Sequence, residues 1–292
     1  MDIVITYVDG NDSEWREAYE KYTDKPLLDK RFRDWGTLKY LMRGIEKNMP
    51  FVRNVYLVVS GESQVPDWVN RENLRIVLHS DIIPEKLLPT FNCNPIELHL
   101  QNIEGLDEKY LYFNDDIFPV LPCEETDFYD NGKVCIGFSR HILSWGMFKK
   151  ITKLSDTLAR KALGMKPSCC FVRPQHICTP MLKTEVEAVY SAVKDEIIDS
   201  LTTVREAKNA NQYLFLDYMY YKGKAVNRKI SRRHISMGMA SPDKIAAEIL
   251  HPSAKLLCIN DVEMSDEKFS AVHEAMNAAF EAKFPSKSKY EL

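Results

Sequence analysis

The chain has 292 residues, room for one large domain or two small ones at roughly 100–200 residues each. Hydrophobic residues make up 45% and charged residues 28%, the ordinary balance of a globular enzyme. The 39 Lys and Arg against 42 Asp and Glu give a formal net charge of −3, which argues against a bulk-basic nucleic-acid binder, and no apolar run approaches the roughly 18 residues that span a bilayer.

Met1-Asp2-Ile3-Val4-Ile5-Thr6 has neither a charged n-region nor a signal-like apolar run, so the chain is expected to open directly as structure. Residues 2–8 read as a β-branched strand, stopped by the turn Asp9-Gly10-Asn11-Asp12. Leu38, Leu41, Met42 and Ile45 make a helix stripe that Pro50 ends. Residues 54–60 and 74–78 read as strands. Pro95 suits a first helical turn, with Ile96, Leu100 and Ile103 as its apolar stripe. Glu97, Gln101 and Glu104 then share the other face, by default a solvated one. Leu111-Tyr112-Phe113 runs as a strand into Asn114-Asp115-Asp116. The order predicts an α/β layer with a largely parallel sheet, whose ligands sit outside the carboxyl ends of the strands, where Asp9 and Asp115-Asp116 fall.

The second half is predicted to be more helical. Leu182, Val186, Val189, Val193 and Ile197 keep helical spacing, and 209–221 reads as a buried helix. Phe269, Val272, Met276 and Phe280 form another stripe, with Ser265 as N-cap. The tail at 285–289 is expected to fray. Seven Cys, none in a C-x-x-C pair, disfavour a disulfide framework or a zinc site and suggest buried free thiols. With 11 Gly and neither a G-x-G-x-x-G nor a P-loop motif, phosphate must be held by side chains and helix N-termini.

Two adjacent carboxylates, Asp115 and Asp116, repel each other unless a cation neutralises them; Mg²⁺ suits such a site, and a solvated turn is the plainer alternative. His176 reads as a base or as a structural imidazole. Arg31, Arg33 and Arg43 near a helix start read as a phosphate clamp or as surface arginines, and Arg205 and Arg232-Arg233-His234 carry the same two readings.

Several segments occur together in a fixed order. They are Asp2-Ile3-Val4-Ile5-Thr6-Tyr7-Val8-Asp9-Gly10-Asn11-Asp12, the long run from Arg31-Phe32-Arg33-Asp34-Trp35-Gly36 to Tyr112-Phe113-Asn114-Asp115-Asp116, the neighbourhood of Pro174-Gln175-His176, and Cys258-Ile259-Asn260-Asp261. Together they resemble the Stealth family of sugar-phosphate transferases, which includes bacterial capsule polymerases and the catalytic part of the animal lysosomal-enzyme N-acetylglucosamine-1-phosphotransferase. Where the family has a richer Pro-His pattern, this chain has Pro174-Gln175-His176. The resemblance implies a nucleotide-sugar-transferase-like (GT-A-like), mostly parallel α/β sheet with helical elaborations in the second half. Residues 1–125 would be the nucleotide-sugar core and 126–292 a helical, acceptor-side region closing the same site.

The implied reaction moves a sugar 1-phosphate, N-acetylhexosamine 1-phosphate by the family's commonest donor, from a UDP-sugar to a glycan hydroxyl in capsule or cell-surface polysaccharide synthesis, with release of UMP. By resemblance, Glu97, Asp116, His176 and Arg205 occupy catalytic positions, with His176 or Glu97 as base and Arg205 on the pyrophosphate. Asp116 with Asp115 holds Mg²⁺ or Mn²⁺ or orients the acceptor. Tyr7, Val8, Asp9, Gly10 and Asn11 cup the nucleotide, Arg33, Asp34 and Arg43 line that end, Arg233 helps spread phosphoryl charge, and Asn260-Asp261 completes the site. The implied partners are a nucleotide-sugar donor and an oligo- or polysaccharide acceptor, without nucleic acid. The setting is cytoplasmic or peripheral to the inner membrane, and a homo-oligomer is compatible with it. Two competitors remain at this point: a conventional glycosyltransferase that releases UDP, and an inactive scaffold subunit.

Overall fold

The computed structural model describes residues 1–27 and 32–292. Its central sheet takes β1 (Asp2–Thr6), β2 (Val55–Val59), β3 (Leu74–Leu78) and β4 (Lys109–Asn114) as parallel neighbours in the order β4-β1-β2-β3. Ile3 is in register with Val55 on one side and Leu111 on the other. These strands are continuous apolar runs because both sheet faces are covered; Ile3, Val4, Ile5, Leu57 and Val58 are fully buried. The expected α/β class and mostly parallel sheet are present.

β4 ends at Asn114, the chain bends through Asp115 and Asp116, and β5 (Ile117–Pro119) starts a second sheet. A two-stranded antiparallel piece, β6 (Tyr129–Asp130) and β7 (Lys133–Ile136), follows, and then β8 (Phe138–His141) pairs with β9 (Phe171–Pro174). β10 (Thr179–Leu182) returns to the central sheet, antiparallel to β4. β11 (Ala225–Asn227) joins β7. β12 (Arg232–Ser236) and β13 (Leu256–Asn260) run parallel, and β13 lies antiparallel to β5. Strands from residues 1–125 and 126–292 thus share two sheets.

The Leu38–Asn48 helix packs its predicted stripe inward and lies against β5. Gly44 permits that approach, since a Cβ there would sit 2.7 Å from the Pro119 carbonyl oxygen. Asn48 Nδ2 donates to the same carbonyl at 2.8 Å. The Asp266–Lys283 helix starts as expected, with Ser265 Oγ accepting from the Lys268 N–H.

The structure corrects several expectations. The first strand stops at Thr6, so Tyr7 and Val8 lie beyond it. Residues 182–197 are not one helix: Leu182 ends β10, and the backbone breaks at Val193 between the Lys183–Ala192 and Lys194–Ser200 helices. The helix at Pro95 is only Cys93–Glu97, followed by a 3-10 turn, and Glu97 and Gln101 are buried while Glu104 stays exposed. All seven Cys are free as expected, but Cys169 and Cys170 are exposed.

The C-terminal tail does not fray. The Asn70 N–H donates to the Tyr290 carbonyl at 2.8 Å, and the Leu292 N–H to Trp68 at 2.8 Å. Glu291 accepts from Arg43 Nε at 3.0 Å and Nη2 at 2.8 Å. Arg43 Nη1 donates to the Phe284 carbonyl at 2.7 Å. Arg43, expected at the nucleotide end, is therefore a structural clamp, because the C-terminal residues saturate its guanidinium on the helix face. Removing one partner of a buried pair strands the other charge, at about 3–5 kcal/mol. Arg43→Ala should lower urea stability by about that much. The fold reading requires donor KM to stay near wild type in the same variant; a raised KM with unchanged stability would return Arg43 to the site.

Asp217, in the Tyr213–Tyr221 helix, is fully buried with both carboxylate oxygens unpartnered. Burial raises its pKa well above the usual carboxylate value, and Asp156 adds to the rise. A carboxyl with a raised folded-state pKa costs no stability below its unfolded value of about 3.9 and progressively destabilises the fold as pH rises from there toward the folded-state value. Asp217→Asn should therefore melt higher than wild type at pH 7.5, with the gain shrinking to nothing near pH 4. Thermal melts across that range check it, and a gain independent of pH would contradict it.

Candidate active site

A cavity of about 590 Å³ opens at the carboxyl ends of the parallel strands. Thr6 and Tyr7 reach it from the end of β1, Asn114 to Asp116 from β4, and Asn260 and Asp261 from β13. This is where a parallel sheet presents ligands, because its backbone connections diverge there.

Glu97, Asp116, His176 and Arg205 all line this cavity. Their convergence has local causes. Asn92 caps the Cys93–Glu97 helix by accepting from the Asn94 N–H at 3.1 Å. Its Nδ2 donates to the Thr202 carbonyl and to Asn209 Oδ1, both at 3.0 Å. That bond set ties the helix bearing Glu97 to the loop bearing Arg205, whose Nη2 donates to Cys93 Sγ. Glu97 accepts from the Tyr112 hydroxyl at 3.5 Å and from the Gln212 N–H at 3.4 Å. Burial raises the Glu97 pKa, and the nearby Arg205 charge opposes the rise. Gln175 holds its neighbour His176 in place: its side chain exchanges two 3.0 Å hydrogen bonds with the Ile230 backbone, and its N–H donates to Gly137 at 2.7 Å. Burial, with His234, Arg232 and other cations adding to it, pushes His176 down to about 4, so the imidazole is neutral at physiological pH.

Burial raises Asp115 to about 8, with Asp116 and Asp34 adding to the rise, and burial raises Asp116 to about 6. Asp116 Oδ2 accepts from the Cys258 thiol at 3.8 Å. Asp116 Oδ1 and Asp261 Oδ1 are buried without partners among the described residues. The orphaned Asp116 oxygen fits a hard divalent cation, so Asp116, with the adjacent Asp115, is the residue that would hold one. One oxygen, nitrogen or sulfur each of Asp116, His176 and Cys258 also lie within 4.8 Å of one another. Burial raises the Cys258 thiol far above its ordinary value, and the Asp116 charge adds to the rise.

Among the described residues, Arg33, His79, Asn94, Asp116, Gln212 and Asp261 of the cavity wall have buried side-chain polar atoms without a partner; outside it only Gln101 and Asp217 do. Native interiors pair such groups, so their concentration here marks a surface built for a polar ligand. Arg33 is held over the Phe269 ring at 4.4 Å, with Nη1 left unpaired.

Tyr7, Val8, Arg33 and Asp34 line the cavity as expected. Asp9 instead faces an adjoining recess of about 150 Å³, which shares Tyr7 and Asp34 with the main cavity. Gly10 and Asn11 fold away into the turn: the Gly10 N–H donates to Phe32 at 2.7 Å, and the Asn11 N–H to Asp9 Oδ1 at 2.8 Å. Arg233 lies outside the cavity. Strand alternation turns it to the face opposite Arg232, toward Glu248 at 3.6 Å. Arg31 lies outside the described residues. Sequence reasoning missed Trp35, whose indole donates to Asp261 Oδ2 at 3.0 Å, and also Cys93, Tyr112, Arg173 and Gln212. Only the Asn92-Cys93-Asn94-Pro95 helix start carried a local signal, an Asn N-cap before Pro.

Residues 31–136 match the family model described as Stealth protein CR2, conserved region 2. Capsular polysaccharide phosphotransferase WcwK of Streptococcus pneumoniae is 32% identical, with 100% of this chain and 99% of that protein covered. Receptor polysaccharide phosphotransferase WefC of Streptococcus gordonii is 29% identical, with the same coverages of 100% and 99%. Among solved structures, the galactosyltransferase LgtC, in complex with donor and acceptor sugar analogues, aligns over 99% of this chain and 98% of its own, at 11% identity and a TM-score of 0.44. Full-length likeness at 32% identity, together with the matched conserved region, shows that the chain belongs to the Stealth family of polysaccharide phosphotransferases.

Proposed function

We propose that the enzyme transfers N-acetylhexosamine 1-phosphate from a UDP-sugar to a glycan hydroxyl in capsule or cell-surface polysaccharide synthesis, forming a phosphodiester and releasing UMP. The observation that carries this reading is the set of unpartnered polar groups of both signs in one cavity: Arg33 as donor, Asp116 and Asp261 as acceptors. A pyrophosphate with a divalent cation satisfies both signs at once, and a neutral sugar alone does not. The relatives' names support phosphotransfer. Residues 1–125 and 126–292 both supply the cavity wall and act as one catalytic unit. The reading places the enzyme at the cytoplasmic face, where nucleotide sugars are made.

In this mechanism an acceptor hydroxyl oxygen attacks the donor's β-phosphorus. The new bond is oxygen to phosphorus; the bond to the bridging oxygen breaks, and its electron pair leaves with UMP. Arg205 and Arg33 meet the phosphoryl oxygens, where charge is spread in the transition state. Mg²⁺ or Mn²⁺ held by Asp116 with Asp115 would supply further neutralisation of the pyrophosphate. His176 takes the hydroxyl proton, because it is neutral and held at the cavity wall. Glu97 is the weaker candidate for that step, since both its oxygens already accept hydrogen bonds from Tyr112 and Gln212. Its part is to position Arg205.

His176→Ala should cost turnover about 10²–10⁴-fold, and added imidazole should restore part of it. Glu97→Gln should raise donor KM more than it lowers kcat. Kinetics in which Glu97→Gln abolishes kcat while His176→Ala leaves it intact would exchange the two roles.

The bond that breaks decides between the enzyme readings. Incubation with UDP-N-acetylglucosamine and a glycan acceptor should release UMP and give a product with a phosphodiester ³¹P resonance. UDP release with a phosphorus-free product would establish the conventional glycosyltransferase instead.

A further inference from the structure

Between Asp130 and Glu185 the chain carries ten Lys and Arg and a single acidic residue, Asp156, in a protein of formal net charge −3. Asp156 is buried and paired with Arg160 at 2.8 Å, so the exposed charge of this stretch is entirely positive. Within it, the turn from β8 into the Gly146–Ala162 helix projects apolar side chains into solvent. Ile142 and Leu143 are each 63% exposed and Trp145 is 77% exposed, with Met147 and Phe148 exposed in the turn that follows. Arg140, Lys149 and Lys150 flank the tip, and among the described residues none of the three pairs with a carboxylate.

Large apolar side chains that are contiguous and exposed mark an interaction surface. The composition here selects the partner. Aliphatic Ile142 and Leu143 gain contacts in hydrocarbon and none from sugar hydroxyls. An indole settles at the headgroup level, and flanking cations meet anionic headgroups. We propose that the 142–148 tip docks the protein on an anionic phospholipid surface. Ile142, Leu143 and Trp145 enter the interface, and Arg140, Lys149 and Lys150 face the headgroup phosphates.

The dock and the cavity share a helix. Phe148 and Ile151 line the cavity, as does Arg173, which lies 4.9 Å from the Phe148 ring centroid. A docked enzyme therefore keeps its cavity next to the headgroups, where an acceptor carried on a membrane lipid would be presented. That consequence rests on the phosphotransferase reading, and the docking itself does not. Among the described residues no helix is long and apolar enough to cross a membrane, so attachment of this kind would be reversible.

Co-sedimentation of the full chain with phosphatidylglycerol–phosphatidylethanolamine vesicles, against pure phosphatidylcholine vesicles, tests it. The wild type should bind the anionic vesicles, with binding that weakens as salt is raised, and leave the neutral ones. The Ile142→Ser/Leu143→Ser variant should bind about tenfold or more weakly, and Lys149→Glu/Lys150→Glu should lose the preference for anionic lipid. Tryptophan emission should shift to the blue on binding, and the shift should vanish in Trp145→Phe. Far-UV circular dichroism and turnover on a water-soluble acceptor should match wild type in every variant. A wild type that ignores anionic vesicles overturns the proposal, as does an Ile142→Ser/Leu143→Ser variant that binds them equally well. Loss of soluble-glycan binding in that variant, measured without vesicles, would reassign the tip to the acceptor and also overturn it. The nucleotide assay is independent: UMP release with no vesicle binding sinks the dock alone, and vesicle binding with UDP release sinks the phosphotransfer reading alone.

Discussion

The bend at Asp115 and Asp116 is the constraint on which the rest of the structure depends. β4 closes the parallel sheet and β5 opens the second sheet, so the two residues between them are carried by both frameworks. The Ile259 N–H donates to the Asp116 carbonyl at 2.9 Å, which locks the end of β13 against the bend. Asn260 and Asp261 then arrive at the same cavity as the acidic pair. Gly44 and Asn48 hold β5 from behind through the Pro119 carbonyl. A shift of either sheet would move the acidic pair relative to the walls that carry His176 and Arg205.

The electrostatics follow from that placement. Carboxylates at the end of a buried strand lose solvation, and Asp115 and Asp116 are both pushed toward their neutral forms. The fold relieves this only in part: Asp116 Oδ2 accepts from Cys258 and Asp261 Oδ2 from Trp35, while Asp116 Oδ1 and Asp261 Oδ1 remain unpaired. His176 shows the opposite case, an imidazole held neutral by burial among cations. Unpaired acceptors, an unpaired guanidinium and a neutral imidazole in one cavity describe a site whose polar balance is completed by what binds there.

Charge is divided unevenly across the surface as well. The stretch between Asp130 and Glu185 is cationic and carries an apolar tip at 142–148, while most of the acidic residues lie elsewhere in the chain. The C-terminal residues have a quite different task. Glu291 and the backbone of Tyr290 and Leu292 bind Arg43, Asn70 and Trp68, closing the sheet's far side through contacts nearly the length of the chain apart.

Much of this was legible in the residues themselves. Strands such as Leu74–Leu78, the Leu38–Asn48 stripe and the Ser265 cap follow from local rules of side-chain period and capping, which need no partner. The family, and with it the four residues Glu97, Asp116, His176 and Arg205, could be recognised from ordered motifs. Which arginines face the cavity could not. Arg33, Arg43 and Arg233 are chemically alike; Arg33 points at the cavity, Arg43 is consumed by Glu291 and Phe284, and Arg233 is turned outward by strand alternation. Glu97 read as solvated because helical period suggested an exposed face, yet the helix stops at Glu97 and a loop more than a hundred residues later covers it. Local pattern determines which element a residue joins. Burial, charge pairing and access depend on what the fold brings opposite, and only the tertiary structure decides that.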